Sequence, residues 1–393
     1  MATTIGQASA PPSEPGAGFW LPELPTGRYQ GADFLALEMK HVWNKSWLFV
    51  GHSNELTAVG AFKLFQELGR SVIVIRGADN VIRAFHNTCR HRGAELLQES
   101  KGVTKRFVCP YHAWGYDLKG NLVSVPDAED FPCLKKEEKS LLAVRCELWR
   151  GLIYINFDPS AMSLAEYMMP LSAEYADIPF EKLVPKFDLS YDLAGNWKAV
   201  YDNFLEGYHV SVVHARTVGN QLDGNSCSQV LYRNGHGRMI TKLRRQNAPL
   251  LNGEMDESIR LSDRFKQSVE GMMPFPNGTF VLDSVSVSVL HFWPVGHDKT
   301  RIKTLFFALQ GGNNQDNEEY WAAFKQYQDA IMAEDQVLLP GIQRNIDNGT
   351  SPTMVLKNDE RLIHGYHQEI DRLIGPENID PQLRVARHIP VEG

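Results

Sequence analysis

The spacing of apolar residues divides the chain into a helical start, a strand-rich middle and a mixed C-terminal part. Between residues 31 and 47, apolar residues recur every three or four positions among charged ones, a spacing that predicts a helix. Residues 48–158 contain short apolar runs, such as 71–75 and 81–85, which are broken by Gly, Asn and Asp. These runs predict short strands, and the Lys-Gly-Asn segment at 119–121 predicts a hairpin turn. The pattern therefore predicts a small antiparallel barrel or sandwich in this region.

The C-terminal part combines strands with two predicted helices. The segments 279–290 and 301–309 are rich in β-branched and aromatic residues, which predicts strands. The segment 317–346 predicts the longest helix of the chain, and 361–374 predicts a shorter one. Strands followed by a long helix indicate an antiparallel sheet with a helix packed against it. The predicted fold class is therefore α+β: a small all-β domain, then an antiparallel-sheet domain with a long helix, similar to a helix-grip fold.

Composition and charge exclude several classes of protein. With 393 residues, of which 43% are hydrophobic and 22% charged, the chain predicts a globular protein with two domains. The formal net charge of −7 offers no basic surface for nucleic acid. No window contains the roughly eighteen consecutive apolar residues of a membrane span, and residues 1–18 lack the features of a signal peptide. The five cysteines show no disulfide spacing, so we predict a cytoplasmic protein.

Two loops in the strand-rich region carry cysteines and histidines in metal-ligand spacing. Cys89 and His91 form a C-x-H pair, and Cys109 and His112 form a C-x-x-H pair. Two thiolates and two imidazoles suit a [2Fe–2S] cluster in which one iron takes both cysteines and the other takes both histidines. The alternative is a structural zinc ion, because Cys2His2 also describes a tetrahedral zinc site. We favour the cluster, because turns and strands flank both loops, whereas a zinc finger places its histidines on a helix.

A second candidate metal site lies between residues 196 and 214. His209 and His214 stand five residues apart in a segment that also contains Asp and Glu. Two histidines and one carboxylate, with other positions open, form the arrangement that non-haem Fe(II) oxygenases use to bind O2. Isolated histidines are more often ordinary core or surface residues. On a regular helix, positions five apart diverge by ~140°, so both rings reach one metal only if the helix bulges or ends between them.

Helical periodicity indicates Asp335 as the missing carboxylate. This residue falls in the middle of the apolar stripe of the predicted helix, which consists of Trp321, Phe324, Tyr327, Ile331, Leu338, Leu339 and Ile342. Glu334 and Asp329 lie ~100° and ~120° away around the helix, where both can face solvent. A lone Asp on a buried face is costly unless it is paired or binds a metal. The alternative is a buried Asp with a structural hydrogen-bond partner, but beside a histidine pair without an anion we interpret Asp335 as the third ligand.

The two candidate centres, in this order, resemble the terminal oxygenase α subunit of the Rieske non-haem iron oxygenases, the ring-hydroxylating dioxygenase superfamily. The resemblance covers residues 43–373. It implies a [2Fe–2S] Rieske cluster and a mononuclear Fe(II) as cofactors. The implied cluster ligands are Cys89, His91, Cys109 and His112, and the implied iron ligands are His209, His214 and Asp335.

The resemblance also implies three parts of the chain. Residues 1–47 form an N-terminal tail and a helix that packs on the catalytic domain. Residues 48–160 form the Rieske domain, and residues 161–393 form the catalytic domain with the mononuclear iron.

The family is trimeric, and a carboxylate just before the first iron-ligand histidine joins the cluster of one subunit to the iron of its neighbour. Here that position is Glu206, whose implied partners are His209 and, across the interface, His112. Asn203 is the second candidate catalytic residue of this segment. Many ring dioxygenases have Asp in an Asn-Phe-Val-Gly-Asp context, whereas this chain has Asn-Phe-Leu-Glu-Gly at 203–207. The departure is similar to the branch of carnitine, choline and glycine betaine oxygenases.

The implied reaction is hydroxylation of a small organic substrate with O2 and two electrons. No G-x-G-x-x-G motif follows a predicted strand, so a separate NAD(P)H-dependent reductase, with or without a ferredoxin, is expected to supply the electrons. The substrate is either an aromatic compound or an alkyl ammonium or ether compound, which would undergo ring hydroxylation or oxidative dealkylation. Aromatic side chains near the iron segment suit both classes, namely Tyr201, Phe204 and Tyr208. The expected assembly is a homotrimer, to which some members of the family add a β subunit.

Two other functions compete with the oxygenase. A Rieske-type electron carrier needs only residues 48–158 and has no use for the second metal site. A respiratory carrier would also have one more cysteine in each loop, where this chain has Ala94 and Tyr111. A zinc-stabilised ligand-binding module would be colourless, whereas an iron–sulfur oxygenase would be red-brown.

Overall fold

The computed structural model describes residues 20–244, 262–284, 286–312 and 314–389. It begins with a short strand, β1 (Leu24–Pro25), and a helix, α1 (Gly31–Glu38), which a π-helical turn continues over Met39–Trp43. The helix predicted over 31–47 is therefore confirmed over 31–43. The segment packs on the helix at residues 361–374. It also contacts the helix at residues 197–202, where the ring of Trp43 meets the ring of Trp197 edge-on at 4.7 Å between centroids.

The strand-rich region forms a seven-stranded antiparallel sheet in the order β2-β11-β10-β5-β4-β3-β6 and a three-stranded sheet, β7-β8-β9. The strands are β2 (Leu48–His52), β3 (Ala61–Phe65), β4 (Val72–Arg76), β5 (Ile82–His86), β6 (Lys101–Val103), β7 (Phe107–Val108), β8 (Gly115–Tyr116), β9 (Leu122–Ser124), β10 (Ala143–Trp149) and β11 (Leu152–Asn156). The predicted strands 71–75 and 81–85 are confirmed as β4 and β5. The predicted turn joins β8 to β9, where Gly120 has a φ of 86° that favours glycine.

The C-terminal part is built on a second seven-stranded antiparallel sheet, in the order β12-β18-β17-β16-β15-β14-β13. Its strands are β12 (Leu183–Ala194), β13 (Leu222–Leu231), β14 (Gly237–Leu243), β15 (Ser268–Met273), β16 (Gly278–Leu282), β17 (Ser286–Pro294) and β18 (Lys299–Leu309). The helices are α2 (Leu164–Tyr167), α3 (Met169–Glu174), α4 (Trp197–Asp202), α5 (Val210–Val213), α6 (Glu318–Gln336), α7 (Leu339–Asp347) and α8 (Arg361–Ile374). A short strand, β19 (Thr353–Met354), pairs with β1.

The long helix packs across this sheet, as the sequence predicts. The aromatic side chains of Trp321 and Phe324 on α6 pack with Phe306 of β18 in one buried cluster. The α+β fold class is confirmed, and so is the helix predicted over 361–374, which is α8. The domain limits at residues 47 and 160 remain predictions.

The single helix predicted over 317–346 is wrong. It breaks after Gln336, and α7 begins at Leu339 with Pro340 in its first turn. Proline has no N–H to continue a helix, and it disfavours the helical conformation of the residue before it. The break turns Leu338 and Ile342 outward, so these two members of the predicted apolar stripe are exposed.

Aromatic contacts join the two sheets. Phe49 of β2 stacks on His291 of β17 with 4.6 Å between ring centroids, and Phe65 of β3 contacts the edge of Trp293 at 5.3 Å. A salt bridge between Lys303 and Glu67 crosses the same junction. The two seven-stranded sheets of one chain therefore share a buried boundary.

Candidate metal centres

The helix that precedes the first candidate iron ligands, α4, ends before it reaches them. Asn196 caps the start of α4 by accepting a hydrogen bond from the backbone N–H of Lys198, and α4 ends at Asp202. A turn follows, and His209 and His214 then stand directly before and after the single-turn helix α5. Their ring centroids lie 5.1 Å apart. The interruption of the helix thus brings together two rings that a regular helix would direct apart.

Asp335 completes a three-residue cluster. It lies in the last turn of α6 with 4% of its surface exposed. Its Oδ1 atom lies 3.2 Å from Nε2 of His214 and 4.0 Å from Nε2 of His209. One nitrogen or oxygen atom from each of the three residues lies within 4.8 Å of the other two. Two imidazoles and one carboxylate that converge in this way fit a mononuclear Fe(II).

Asn203 and Glu206 contact two of these three residues, as their position in the segment suggests. Nδ2 of Asn203 donates a hydrogen bond of 3.0 Å to Oδ1 of Asp335. Glu206 accepts a hydrogen bond from Nδ1 of His209 and also accepts from the backbone N–H groups of Tyr208 and His209. Glu206 therefore holds the turn that precedes α5 and orients the His209 ring, which leaves Nε2 of that ring to face Asp335.

Glu334 contacts the candidate ligand His214, a contact that the sequence pattern does not predict. Its predicted position toward solvent is wrong, because its Oε2 accepts from Nδ1 of His214 at 2.9 Å and from the hydroxyl of Thr217 at 2.6 Å. Burial alone would lower the pKa of His214, but hydrogen bonds to Asp335 and Glu334 raise it above its usual value. The two carboxylates therefore favour a positive charge beside the His214 ring, as they would favour a bound cation.

The two candidate cluster loops share one backbone geometry. In the first loop, the N–H of Cys89 donates to the carbonyl of Ala94 at 2.8 Å. In the second loop, the N–H of Cys109 donates to the carbonyl of Trp114 at 2.9 Å. Each loop contains one residue of positive φ after its histidine, and in the second loop this is Ala113 at 57°. Similar turns thus present one cysteine and one histidine from each loop.

The side chains of these loops fit a [2Fe–2S] cluster. Both cysteines are buried, and the rings of His91 and His112 lie 4.7 Å apart between centroids. Nδ1 of each ring is buried and has no hydrogen-bond partner. Buried polar atoms normally have a partner, so two such nitrogens beside two buried thiols indicate metal ligands. The Tyr116 hydroxyl lies 3.4 Å from Sγ of Cys89, and no ligand residue lies on a helix, unlike in a zinc finger.

A cavity of about 170 Å³ opens beside the candidate iron ligands, between α6 and the second sheet. Its walls are mainly apolar and include Phe204, Met239, Phe324 and Ile331. Of the three aromatic residues singled out in the sequence, Phe204 lines the cavity. Tyr201 is buried elsewhere, with its hydroxyl on the Gly278 carbonyl at 2.8 Å, and Tyr208 is 60% exposed.

Comparison with known families matches both parts of the chain. Residues 46–135 match the Rieske [2Fe-2S] domain, and residues 180–375 match the ring hydroxylating alpha subunit (catalytic domain). The chain therefore belongs to the family of Rieske oxygenase α subunits. This family binds a [2Fe–2S] cluster in the Rieske domain and a mononuclear iron in the catalytic domain.

The curated relatives include subunits of a monooxygenase and of a dioxygenase. The carnitine monooxygenase oxygenase subunit of Escherichia coli (strain K12) is 34% identical over 195 residues, which is 49% of this chain and 52% of that protein. The benzene 1,2-dioxygenase subunit alpha of Pseudomonas putida is 40% identical over 141 residues, 36% of this chain and 31% of that protein. The matched region thus spans about half the length of the first relative and less of the second.

Two solved structures share the fold over nearly the whole chain. The quaternary ammonium Rieske monooxygenase CntA, in complex with an inhibitor, has a TM-score of 0.77 at 22% identity and covers 90% of this chain and 95% of its own. Naphthalene 1,2-dioxygenase from Rhodococcus sp. has a TM-score of 0.79 at 21% identity, over 91% of this chain and 95% of its own.

Within the described ranges, no helix is both long and apolar enough to cross a membrane.

Proposed function

We propose that this protein is a terminal oxygenase, which hydroxylates a small organic substrate with O2 and two electrons from a separate reductase. The observation that carries the proposal is the convergence of His209, His214 and Asp335 beside an apolar cavity, in a chain that also has a Rieske domain. An electron carrier would have no use for this second centre. The electron donor is an NAD(P)H-dependent reductase, with or without a ferredoxin.

The proposed metal ligands are the residues that the sequence indicates. Cys89, His91, Cys109 and His112 hold the cluster, and His209, His214 and Asp335 hold the iron. When bound, these centres supply one-electron transfer and O2 activation. The chain itself orients the ligands, through Glu206, Glu334 and Asn203, and its apolar walls exclude water from the substrate.

Glu206 is proposed to join the two centres between subunits of a homotrimer, with His209 on one side and His112 of the partner subunit on the other. Exposed apolar residues flank the iron ligands along the chain, including Val212, 80% exposed, and Val337, 77% exposed. Contact with a partner subunit would remove these apolar side chains from water. Tyr111, which precedes His112 and is also exposed, is suited to meet them.

The lining of the cavity favours neutral or cationic substrates. Asp283 contributes a carboxylate to the walls, and none of the lining residues that the structure describes is Lys or Arg. A carboxylate substrate would find no Lys or Arg side chain among these lining residues to replace its lost hydration. The aromatic walls suit both a ring and an ammonium group. The proposed classes are therefore aromatic hydrocarbons and alkyl ammonium or ether compounds.

The cysteines support a reducing compartment. All five lie in the described residues, and none forms a disulfide. We therefore propose that the protein acts in the cytoplasm.

A single turnover with labelled oxygen tests the reaction. The chemically reduced protein is mixed with ¹⁸O2 and a panel of aromatic hydrocarbons, aromatic acids and quaternary ammonium compounds, and the products are weighed. Two labelled oxygens in a ring product identify a dioxygenase. A dealkylated amine, with one labelled oxygen in the aldehyde, identifies a monooxygenase. A red-brown, iron-replete protein that turns over none of the neutral or cationic compounds, but does turn over the acids, contradicts the proposed substrate classes.

Asp335→Ala tests the third iron ligand. Loss of one of three ligands is expected to abolish turnover while the absorbance of the cluster is unchanged, because the cluster is held by other loops. The matched control is Asp329→Ala, on the same helix, where the carboxylate accepts only an exposed hydrogen bond from Tyr191 at 2.7 Å. Wild-type product yield in Asp335→Ala would show that Asp335 is not an iron ligand.

Glu206→Gln tests the proposed bridge. The amide keeps the size of the side chain and one acceptor oxygen, so both metals are expected to remain bound. Electron transfer from cluster to iron is expected to slow by about 10–100-fold, as for other residues that support a metal ligand. Stopped-flow absorbance of the cluster during a single turnover measures the rate. A wild-type rate would remove Glu206 from the electron path.

A further inference from the structure

Tyr29 contacts both ends of α4, the helix that leads into the candidate iron ligands. At the start of α4, Nδ2 of Asn196 donates a hydrogen bond of 3.1 Å to the backbone carbonyl of Tyr29. At the end of α4, the Tyr29 hydroxyl donates to Oδ2 of Asp202 at 2.6 Å. One residue of the N-terminal segment therefore fixes the capping residue and the last residue of this helix.

The contact at the end of α4 is shielded from water. Tyr29 and His367 are fully buried, and Asp202 is nearly so. Nε2 of His367 lies 2.8 Å from the Tyr29 hydroxyl and 3.3 Å from Oδ1 of Asp202. Burial raises the pKa of Asp202 to about 7, against the opposing effect of the hydrogen bond from Tyr29. Because these groups are buried, removal of the Tyr29 hydroxyl would leave Asp202 and His367 with one hydrogen-bond partner fewer.

The end of α4 is directly connected to the candidate iron site. Asp202 is followed by Asn203, whose Nδ2 donates to Oδ1 of Asp335 at 3.0 Å. Glu206, which orients the His209 ring, belongs to the same turn. A displacement of Asp202 therefore moves the residues that orient two of the three proposed ligands.

We propose that Tyr29 is a positioning residue for the mononuclear iron site. By holding both ends of α4 it sets the place of Asn203 and Glu206, and through them the orientation of Asp335 and His209. The inference rests on the proposed iron ligands, but it assigns a role in the site to a residue far from it in the sequence. The N-terminal segment then helps to position the candidate iron site in addition to packing on the catalytic domain.

The test compares the metal affinity and ligand geometry of Tyr29→Phe with those of the wild-type protein. The dissociation constant of Fe(II) at the mononuclear site is measured by chelator competition, with the cluster intact. Co(II) at the same site gives visible absorption bands that report the geometry of its ligands. Tyr29→Phe is expected to bind Fe(II) about tenfold more weakly and to shift the Co(II) bands. The matched control is Tyr191→Phe, which removes an exposed hydroxyl on β12 and is expected to change neither quantity.

Asp202 provides a second pair of variants if Tyr29→Phe does not fold. Asp202→Ala cuts the same hydrogen bond from the other side and is expected to weaken Fe(II) binding and shift the Co(II) bands. Asp202→Asn keeps an acceptor for the Tyr29 hydroxyl and is expected to restore both. If Tyr29→Phe or Asp202→Ala keeps the wild-type Fe(II) affinity and Co(II) spectrum, the role of Tyr29 is only structural and the inference is overturned. If the wild-type protein binds neither metal at this site, the proposed iron ligands fail first.

Discussion

At the scale of single residues, two carboxylates outside the proposed ligand set fix the two histidine rings. Glu206 accepts from Nδ1 of His209, and Glu334 accepts from Nδ1 of His214. Each contact fixes the tautomer of its ring and leaves Nε2 as the nitrogen available to a metal. The two carboxylates belong to different elements, so each ring is held independently of the other.

Glu334→Ala is expected to weaken Fe(II) binding by about 10–100-fold, because the His214 ring loses its orienting partner. Glu334→Gln keeps an oxygen acceptor and is expected to lose less. Chelator competition on the protein with an intact cluster measures both affinities. Equal affinity in Glu334→Ala and the wild-type protein would show that packing alone orients His214.

Sequence periodicity could find Asp335 but could not find Glu334. Asp335 lies in an apolar stripe, and a charged residue there is a signal in itself. Glu334 lies beside the stripe, and its role depends on the packing of α5 against α6, which spacing along one helix does not contain. Likewise, Tyr29 lies just before the helix predicted over 31–47, and nothing in the sequence pattern links it to Asp202, 173 positions later.

At the scale of elements, a buried salt bridge secures α4 to the N-terminal segment. Nζ of Lys198 lies 2.8 Å from Oε1 of Glu38, and both side chains are fully buried. The other carboxylate oxygen, Oε2, accepts from Nε1 of Trp197 at 2.9 Å. Such a pair is costly to break from one side, because it leaves an uncompensated charge in the core.

Lys198→Met is expected to lower the free energy of unfolding by about 3–5 kcal/mol, since it leaves Glu38 charged and unpaired. The double variant Lys198→Met with Glu38→Gln removes both charges and keeps an acceptor for Trp197. It is expected to recover most of the loss. Urea unfolding of the three proteins, followed by tryptophan fluorescence, measures the difference. A double variant as unstable as the single one would mean that lost packing, and not the unpaired charge, causes the effect.

Elements with a strong apolar pattern could be predicted from the sequence, and those with half-exposed faces could not. The strands β16, β17 and β18 are largely buried and were expected, whereas β12 mixes buried, partly buried and exposed positions and was not. Pro340 indicates the break between α6 and α7, but the apolar stripe that continues past it favours one long helix.

At the scale of the whole molecule, a histidine lies at the boundary of the two sheets and is buried without charge. His291 of β17 stacks on Phe49 of β2, and burial lowers its pKa to about 3. In the unfolded chain its pKa is about 6.5, so below that pH the unfolded state binds a proton that the folded state does not. Protonation of this histidine in the unfolded state therefore lowers the free energy of unfolding as the pH falls from about 6.5 toward 3.

His291→Phe is expected to reduce the loss of stability in acid. One such histidine costs about 1.4 kcal/mol per pH unit, or roughly 2 kcal/mol between pH 7 and pH 5. The difference in unfolding free energy between pH 7 and pH 5 is expected to shrink by that amount in the variant. The partly exposed His297, changed to Gln, is the control. An unchanged pH dependence in His291→Phe would show that the folded protein accommodates the charged ring.

The family and its two cofactors could be predicted from the sequence because six of the seven candidate metal ligands lie in three short segments with distinctive spacing, 89–91, 109–112 and 209–214. The contacts between sheets could not, since Phe49 and His291 have no signal that links them. The trimer remains a proposal, because a subunit interface is formed by the surfaces of two chains and the structure contains one.

The course of α6 along the cavity has a consequence for engineering the range of compounds accepted. Asp335 stands at one end of the helix, and wall residues recur behind it on the same face at Met332, Gln328 and Phe324. At a rise of 1.5 Å per residue, these positions lie about 4.5, 10.5 and 16.5 Å from Asp335 along the helix axis. Larger or smaller side chains at successive positions would therefore shorten or lengthen the space for a compound in graded steps, with the Asp335 end of the helix left unaltered.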